Sequence, residues 1–327
     1  MIDRPQLSVQ IVTWNSAHVI GACLQSLAQQ HSRSFEVVIV DNASIDQSVA
    51  VVERWRGELP ALEVVCETHN RGFCGGQNRA TARSRADWVL FLNPDTTLPP
   101  TFVGDAIAAA ASAAPSVGAI APCILLPDGT VDSTGLAMDR FRRAYDRDRR
   151  QGAERRHAAD RDVFGCTGAV ALLRRTMLED VAVDGQVLDE QIFAYYDDLD
   201  LSWRATLRGW RCRYEPVLTA VHQRAARNAI RALPGRPIEP RDQQLSVRNR
   251  LLVMARCDRP VEFLVALPWL MAFEVARIGY LAWRAPAVLK AYREVFGQIG
   301  AALQARRTIH NRAAVAPPLP PLPWRVR

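Results

Sequence analysis

The sequence predicts an α/β fold: a mostly parallel sheet flanked by helices, with a helical C-terminal extension. Three observations carry this. Short apolar runs alternate with stretches of helical periodicity through the first hundred residues, and each run ends in a polar or glycine-bearing turn. The chain has 327 residues, 49% hydrophobic and 23% charged, enough to bury a large core and an appendage. Strands that alternate with helices are joined by right-handed crossovers and lie parallel, with helices on both faces.

Leu7–Thr13 (LSVQIVT) reads as a buried strand. Ser16–Gln30 follows as a helix, with Val19, Ile20, Cys23, Leu24, Leu27 and Ala28 at helical spacing. Phe35–Val40 is the second strand, followed by the polar turn Asp41–Asp46 and a short helix through Val49–Trp55. Leu62–Cys66 is the third strand, and a glycine-rich turn at Asn70–Gly76 leads into a helix over Gln77–Ser84. Trp88–Leu92 is a fourth strand that Asn93-Pro94-Asp95 stops abruptly, since proline cannot continue a central strand. An alanine-rich helix runs from Thr101 to Ala114, before Pro115, and Val117–Leu126 forms a strand that ends at the turn Pro127-Asp128-Gly129.

Periodicity then fades. Arg140–Asp162 holds nine arginines and five acidic residues, the pattern of a solvated loop or of a flap that meets a phosphorylated substrate. Gly165–Arg175 returns to apolar order. In Phe193–Arg204 (FAYYDDLDLSWR) three carboxylates precede a helical pattern, and an acidic helix start complements the helix dipole. Capping explains one aspartate well and three poorly. Val261–Leu289 is apolar and aromatic, but Glu262, Pro268, Glu274, Arg277 and Arg284 interrupt it, so it lacks the charge-free run of about 18 residues that a span needs. Trp269, Phe273, Tyr280 and Trp283 suit a bilayer interface; packing on the main domain or on a second subunit in a homo-oligomer is the competing expectation.

The net charge is +7, nearly all of the 41 basic residues being arginine, which suits a phosphate-rich partner. Zinc-finger, RNA-binding sheet and basic-aromatic stacking motifs are missing, which argues against nucleic acid. Seven cysteines form no CxxC pair and read as buried thiols in a reducing compartment. The N-terminal residues do not read as a secretory signal.

Four loops fall at the carboxyl ends of four predicted parallel strands: Thr13-Trp14-Asn15, Asp41-Asn42, Asn70–Asn78 and Asn93-Pro94-Asp95. That edge is where open α/β sheets bind ligands. Asp41 can accept the imide N–H of a uracil or thymine ring, and Gly72, Gly75 and Gly76 permit close backbone approach. Neither a dinucleotide-binding GxGxxG nor a P-loop is present.

With these motifs the sequence resembles the family-2 inverting glycosyltransferases of GT-A (Rossmann-like) fold, and within them the branch that includes bacterial rhamnosyltransferases and galactofuranosyltransferases. The matching text is VQIVTWN at Val9–Asn15, VIVDNAS at Val38–Ser44, NRGFCGGQN at Asn70–Asn78, FLNPD at Phe91–Asp95 and FAYYDDLDLSWR at Phe193–Arg204, with His222 and Arg248-Asn249 as later landmarks. The resemblance implies a GT-A domain over residues 1–255, with a nucleotide-sugar half to about 100 and an acceptor half beyond it. A helical, membrane-interfacial region would occupy 256–312 and a Pro-rich tail 313–327.

It further implies that Thr13, Asn15, Asp41 and Asn42 hold the nucleoside, that Asn70, Gly72, Gly76, Asn78, Asn93 and Arg248 line the donor pocket, and that Asp95, with His222, holds a divalent cation, Mg2+ or Mn2+. Asp198 is the implied general base, with Asp197 the alternative, and Asp200 a sugar-positioning or helix-capping residue. Asn93 stands where the family's DxD motif has its first aspartate, and the arginines at 224 and 227 could clamp the diphosphate instead. The expected reaction moves a sugar, with dTDP-L-rhamnose the donor favoured by the branch and UDP-galactofuranose, UDP-hexoses and GDP-sugars open, to a lipid-linked or cell-envelope glycan. The enzyme would be cytoplasmic, at the inner face of a membrane. A sugar-nucleotide nucleotidyltransferase would show a Gly-rich basic signature after the first strand, which Thr13–His18 lacks; a silent nucleotide-binding scaffold would lack Asp95 or Asp198.

Overall fold

A computed structural model describes residues 4–152, 154, 161–224 and 240–314. Arg227 and the Pro-rich tail beyond Ala314 lie outside the described residues. The first half of the chain builds β1 (Leu7–Thr13), α1 (Ile20–Ala28), β2 (Phe35–Asp41), α2 (Ser48–Glu53), β3 (Leu62–Cys66), α3 (Gly72–Arg83), β4 (Trp88–Leu92), β5 (Thr96–Thr97), α4 (Phe102–Ala111) and β6 (Val117–Leu125). Short strands β7 (Val131–Ser133), β8 (Leu136–Met138), β9 (Ala144–Asp146) and β10 (Asp162–Val163) follow, then β11 (Val170–Arg174), α5 (Arg175–Val181), α6 (Asp197–Leu207) and β12 (Arg211–His222). Three long helices, α7 (Pro240–Cys257), α8 (Pro260–Arg284) and α9 (Lys290–Asn311), close the described chain.

The main sheet runs β10-β12-β6-β11-β4-β1-β2-β3, with β5 beside β12 and β7 beside β6. Strands β3, β2, β1 and β4 are parallel in the order expected of crossovers. β11 is antiparallel to both β4 and β6, whereas β6 and β12 are parallel to each other, so one reversed strand joins two parallel sets. Alternation along β4 divides the core: Leu90 and Leu92 face the helices α1 and α4, while Val89 and Phe91 face α3, α5 and α6.

The helix predicted from Gln77 starts at Gly72 instead. Glycine's poor helix propensity argues for a turn there, but packing overrides it. A Cβ on Gly76 would come within 2.6 Å of the Val12 side chain, and Gly72, at φ +71°, would collide with the Phe193 carbonyl. Gly76 therefore lets α3 lie close on β1, and Gly72 lets the loop at Phe193 close over the start of α3.

The Arg-rich segment is also not a solvated loop where it is described. Arg142 is buried against Asp258 at 2.8 Å, Arg147 stacks 5.1 Å over the Tyr214 ring, and Ala144–Asp146 is the strand β9. Positions 153 and 155–160 lie outside the described residues.

The helices after residue 255 are not a loose appendage. Ile309 of α9 shares a core with Val253 and Cys257 of α7 and with Trp203 of α6. No helix among the described residues is long and apolar enough to cross a membrane.

Beneath α6 a buried ion pair fixes this junction. Arg204 bonds Asp200 at 2.8 Å and donates to the Val181 and Val187 carbonyls. Removing one partner leaves buried charge uncompensated, so Arg204→Met should lower stability by about 3–5 kcal/mol. A urea unfolding series against the unsubstituted chain measures it.

Candidate active site

Parallel pairing sets the strand ends level. Thr13 lies opposite Asp41, and Asp41 opposite Cys66, so the loops after β1, β2 and β3 leave the sheet on one edge. The Asp41 carboxylate spends one oxygen on the Ser44 amide at 2.9 Å, while its Oδ1 is buried without a partner. Thr13 Oγ1, Asn42 Oδ1 and Thr96 Oγ1 are also buried and unpartnered along this edge. Buried polar atoms are usually satisfied, so a row of open ones at a strand edge suits a polar ligand.

Asn42 and Asn70 hold the glycine turn: Asn42 Nδ2 donates to the Gly72 carbonyl at 2.9 Å, and the Gly72 amide donates to Asn70 Oδ1 at 2.7 Å. Asn15, at φ 50°, accepts from the Ile45 amide at 2.9 Å and orders the loop after β2. Gln77, which sequence reasoning passed over, is fully buried with both amide ends unpartnered.

Asp95 and His222 meet. The pairing of β12 with β5 sets His222 opposite Thr96, and the Gln223 amide donates to the Asp95 carbonyl at 2.9 Å. His222 Nε2 then stands 3.2 Å from Asp95 Oδ1, and Nδ1 lies 3.0 Å from Asp132 Oδ2. Burial alone would lower the His222 pKa, but hydrogen bonds to Asp132 and Asp95 outweigh it and raise it. Arg224 bonds Asp132 and Asp146, each at 2.8 Å, and Arg149 lies 3.7 Å from Asp132. An imidazole whose second nitrogen is held by a carboxylate is the usual setting of a metal-ligating histidine. Among the described residues no group of three or more metal-ligating side chains occurs, and the Asp95–His222 pair presents one oxygen and one nitrogen donor side chain. That set fits a divalent cation that takes its remaining oxygens from a diphosphate.

The three aspartates at the start of α6 divide in role. Asp200 is fully buried, and although burial opposes it, Arg204 and Arg256 hold its pKa below the ordinary value. Its carboxylate is tied up in these ion pairs, which leaves it the helix-start role rather than contact with a sugar. Asp198 is half-buried and lines a narrow crevice with Phe91, Phe164, Gly168, Leu201 and Ser202. It accepts from the Leu199 amide at 2.8 Å and the Gly168 amide at 3.4 Å. Burial, then the charge of Asp146, pushes its pKa up to about 6. Asp197, buried beside it, is pushed up to about 8, first by burial and then by Asp198.

The loop before them is unusual. Phe193, Tyr195 and Tyr196 all have left-handed backbones, at φ 67°, 68° and 67°. Asn249 Nδ2 holds it, donating to the carbonyls of Ile192, Ala194 and Tyr195 at 2.8–2.9 Å, and Arg248 adds bonds to Gln191 and Ile192. Arg248 is thus 3% exposed under this loop and not in the donor pocket that the sequence expectation gave it. Asn78 is likewise engaged with the Leu188 backbone, through both ends of its amide. Asn93 stays at the strand end, its amide bonded to the Ala169 carbonyl at 2.9 Å.

Sequence reasoning missed Asp132, Asp146 and Arg149. A signal existed for the first: the Pro127-Asp128-Gly129 turn folds β7 back along β6 and brings Asp132 beside His222. For Asp146 and Arg149 there was none in a segment without periodicity.

A sheet edge with unpartnered polar atoms, a carboxylate–imidazole pair and an acidic pair with raised pKa values is the kind of site that transfers a sugar from a nucleotide donor. The chain matches Glycosyl transferase family 2 over residues 8–182 and belongs to that family. It is a glycosyltransferase that uses a nucleotide-sugar donor, which removes the nucleotidyltransferase and scaffold alternatives. It is 29% identical over 247 residues, 67% of this chain and 76% of the relative, to the N-acetylglucosaminyl-diphospho-decaprenol L-rhamnosyltransferase of Mycobacterium tuberculosis. The mannosyltransferase PcManGT from Pyrobaculum calidifontis, solved with GDP-Man and Mn2+, superposes with a TM-score of 0.55 at 22% identity, covering 95% of this chain and 86% of that one. S. aureus TarS with UDP-GlcNAc gives a TM-score of 0.57 at 17% identity, over 94% of this chain and 90% of that one. Both share the GT-A fold.

If Asn249 sets the loop that carries Asp198, Asn249→Ala should cut kcat by about tenfold or more while the KM for the donor changes little. Steady-state kinetics with donor varied separates the two.

Proposed function

We propose that the enzyme is an inverting L-rhamnosyltransferase that uses a deoxythymidine diphosphate sugar and a diphosphate-linked lipid acceptor. The Asp198 carboxylate, buried enough to be a stronger base than usual yet open to the crevice, carries the reading of mechanism. In the nucleoside site, Asp41 Oδ1 accepts the imide N–H of the pyrimidine, and Thr13 and Asn42 supply the remaining polar contacts. The sugar and acceptor follow the mycobacterial relative.

In the reaction the acceptor hydroxyl attacks the anomeric carbon on the face opposite the diphosphate. Asp198 takes its proton, the new carbon–oxygen bond forms, and the bond to the diphosphate breaks with its electron pair on the departing oxygen. One displacement inverts the centre. Two carboxylates this close resist ionising together. Asp197 therefore keeps its proton at neutral pH and leaves the charge on Asp198. Asp95 and His222 would hold the divalent cation, with Asp132 fixing the imidazole; when bound, the cation neutralises charge on the leaving diphosphate. Arg224, tied to Asp132 and Asp146, adds positive charge on the same side.

The pH dependence follows from the sign of the Asp198 shift. A base with a raised pKa is protonated, and idle, below it. Transfer should therefore rise with pH through about 6, above the range of an ordinary carboxylate. Asp198→Asn should lower kcat by roughly 10²–10⁴-fold while nucleotide binding persists. A pH–rate profile of transfer with dTDP-L-rhamnose checks both; an unchanged rate in the variant overturns the base assignment. For the cation, the thermal shift that manganese adds to dTDP should shrink in Asp95→Ala, and the same panel with UDP and GDP ranks the donor nucleotides.

A further inference from the structure

Helix α8 is inside out. Of its 25 residues, every one exposed between Val261 and Trp283 is uncharged, and all but Tyr280 are aliphatic, Trp, Met, Gly or Pro. Val261 is 72% exposed and Trp283 75%, with Val265, Trp269, Val275 and Tyr280 also above half. The charges turn inward. Glu274 pairs with the buried Arg250 and accepts from the Tyr292 hydroxyl at 2.6 Å, Arg277 lies 3.9 Å from Glu274, and Glu262 lies 3.6 Å from Arg259. A helix packed on a globular body in water has the opposite polarity. An exposed apolar face of this length, roughly 37 Å at 1.5 Å per residue, marks an interaction surface.

What covers it is set by the charge at its border. From Pro260 to Arg293 the exposed charged residues are Arg284, Lys290 and Arg293, all positive. Arg140 joins them from the β8–β9 hairpin, its guanidinium 4.9 Å over the Trp269 ring. Two copies docked through this face would crowd like charges, whereas an anionic bilayer would neutralise them. Trp and Tyr prefer the headgroup level, and a helix too short in apolar sequence to span lies along the interface.

We infer that α8 docks this enzyme on an anionic lipid bilayer, with Val261, Val265, Trp269, Val275 and Trp283 entering the headgroup–acyl boundary and Arg140, Arg284, Lys290 and Arg293 on lipid phosphates. The inference deepens the lipid-linked acceptor reading. The hairpin that abuts α8 through the Phe141–Phe273 stack, at 4.9 Å, also carries Asp146, whose charge acts on Asp198. The docked face and the base thus share one buttress.

Sedimentation of the full chain with vesicles of phosphatidylglycerol and phosphatidylcholine tests it without donor or acceptor, so its failure is separate from any failure of the transfer reading. The chain should sediment with these vesicles, less so as salt is raised, and hardly with phosphatidylcholine alone. Val265→Glu with Trp283→Glu, both on exposed positions, should weaken binding at least about tenfold. Arg284→Glu with Lys290→Glu should abolish the preference for the anionic lipid, a second readout if the first variant melts early. The inference is overturned if the unsubstituted chain stays in the supernatant or if the apolar-face variant sediments equally. A dimer in light scattering that Val265→Glu dissolves would assign the face to a second copy and overturn it as well.

Discussion

The loop that leads into α6 hangs on one side-chain amide. Asn249 has two N–H protons on Nδ2 and three carbonyls within 2.9 Å, those of Ile192, Ala194 and Tyr195. Three non-glycine residues in left-handed backbone cost roughly 1–3 kcal/mol each unless the surroundings compel them. Asn249, Arg248 and the Cys74 amide, which donates to the Phe193 carbonyl at 3.1 Å, supply that compulsion. The strained loop delivers two things. It starts α6 with Asp197 and Asp198 at the crevice, and it presses Phe193 on Gly72, where no Cβ fits. The glycine turn that starts α3 and the aspartates that start α6 are thereby held by the same few bonds.

The aspartates of α6 show how environment, rather than residue type, assigns roles. Asp200 lies between Arg204 and Arg256 and stays ionised as part of the scaffold. Asp197 and Asp198 have no guanidinium among the main influences on their pKa values, so burial raises both, to about 8 and about 6, with the charge of Asp198 adding to the first and that of Asp146 to the second. Pairs whose pKa values are driven apart are how a site separates its acid from its base. Beside His222, Asp132 works in the opposite sense. It carries His222 and Arg224 and is held ionised, which keeps the imidazole turned toward Asp95.

The legibility of all this in the sequence followed the range of the interactions. The boundaries of β1, β3 and β4 could be read to the residue, because an apolar run bounded by a polar turn is local information. The start of α3 could not, since the glycines that argue against a helix are needed by contacts with Val12 and Phe193, the latter more than a hundred residues away. Within the site, Asp95 and His222 were paired only through family resemblance; no periodicity joins positions 127 residues apart, and it took the β5–β12 pairing to bring them to 3.2 Å. Arg248 was placed in the donor pocket only through the family resemblance. Nothing local to it reveals that α7 passes beneath the 191–196 loop. The Arg-rich segment misled for a related reason: its charges look solvated until Asp258, Tyr214 and Asp132 are placed against them.

The polarity of α8 extends the same lesson. Its sequence supplies an apolar stripe and a charged stripe, and the ordinary rule would send the apolar stripe inward. The partners already waiting inside decide otherwise. Arg250, on the helix that also bears Arg248 and Asn249, is fully buried, and its charge needs a carboxylate. Glu274 answers it, and Phe273 brings a ring 5.1 Å below the guanidinium. With Glu274 fixed inward, helical geometry leaves Val265, Trp269, Val275 and Trp283 no place but the surface. The buried arginines of α7 thus hold the 191–196 loop on one flank and turn the apolar face of α8 outward on the other.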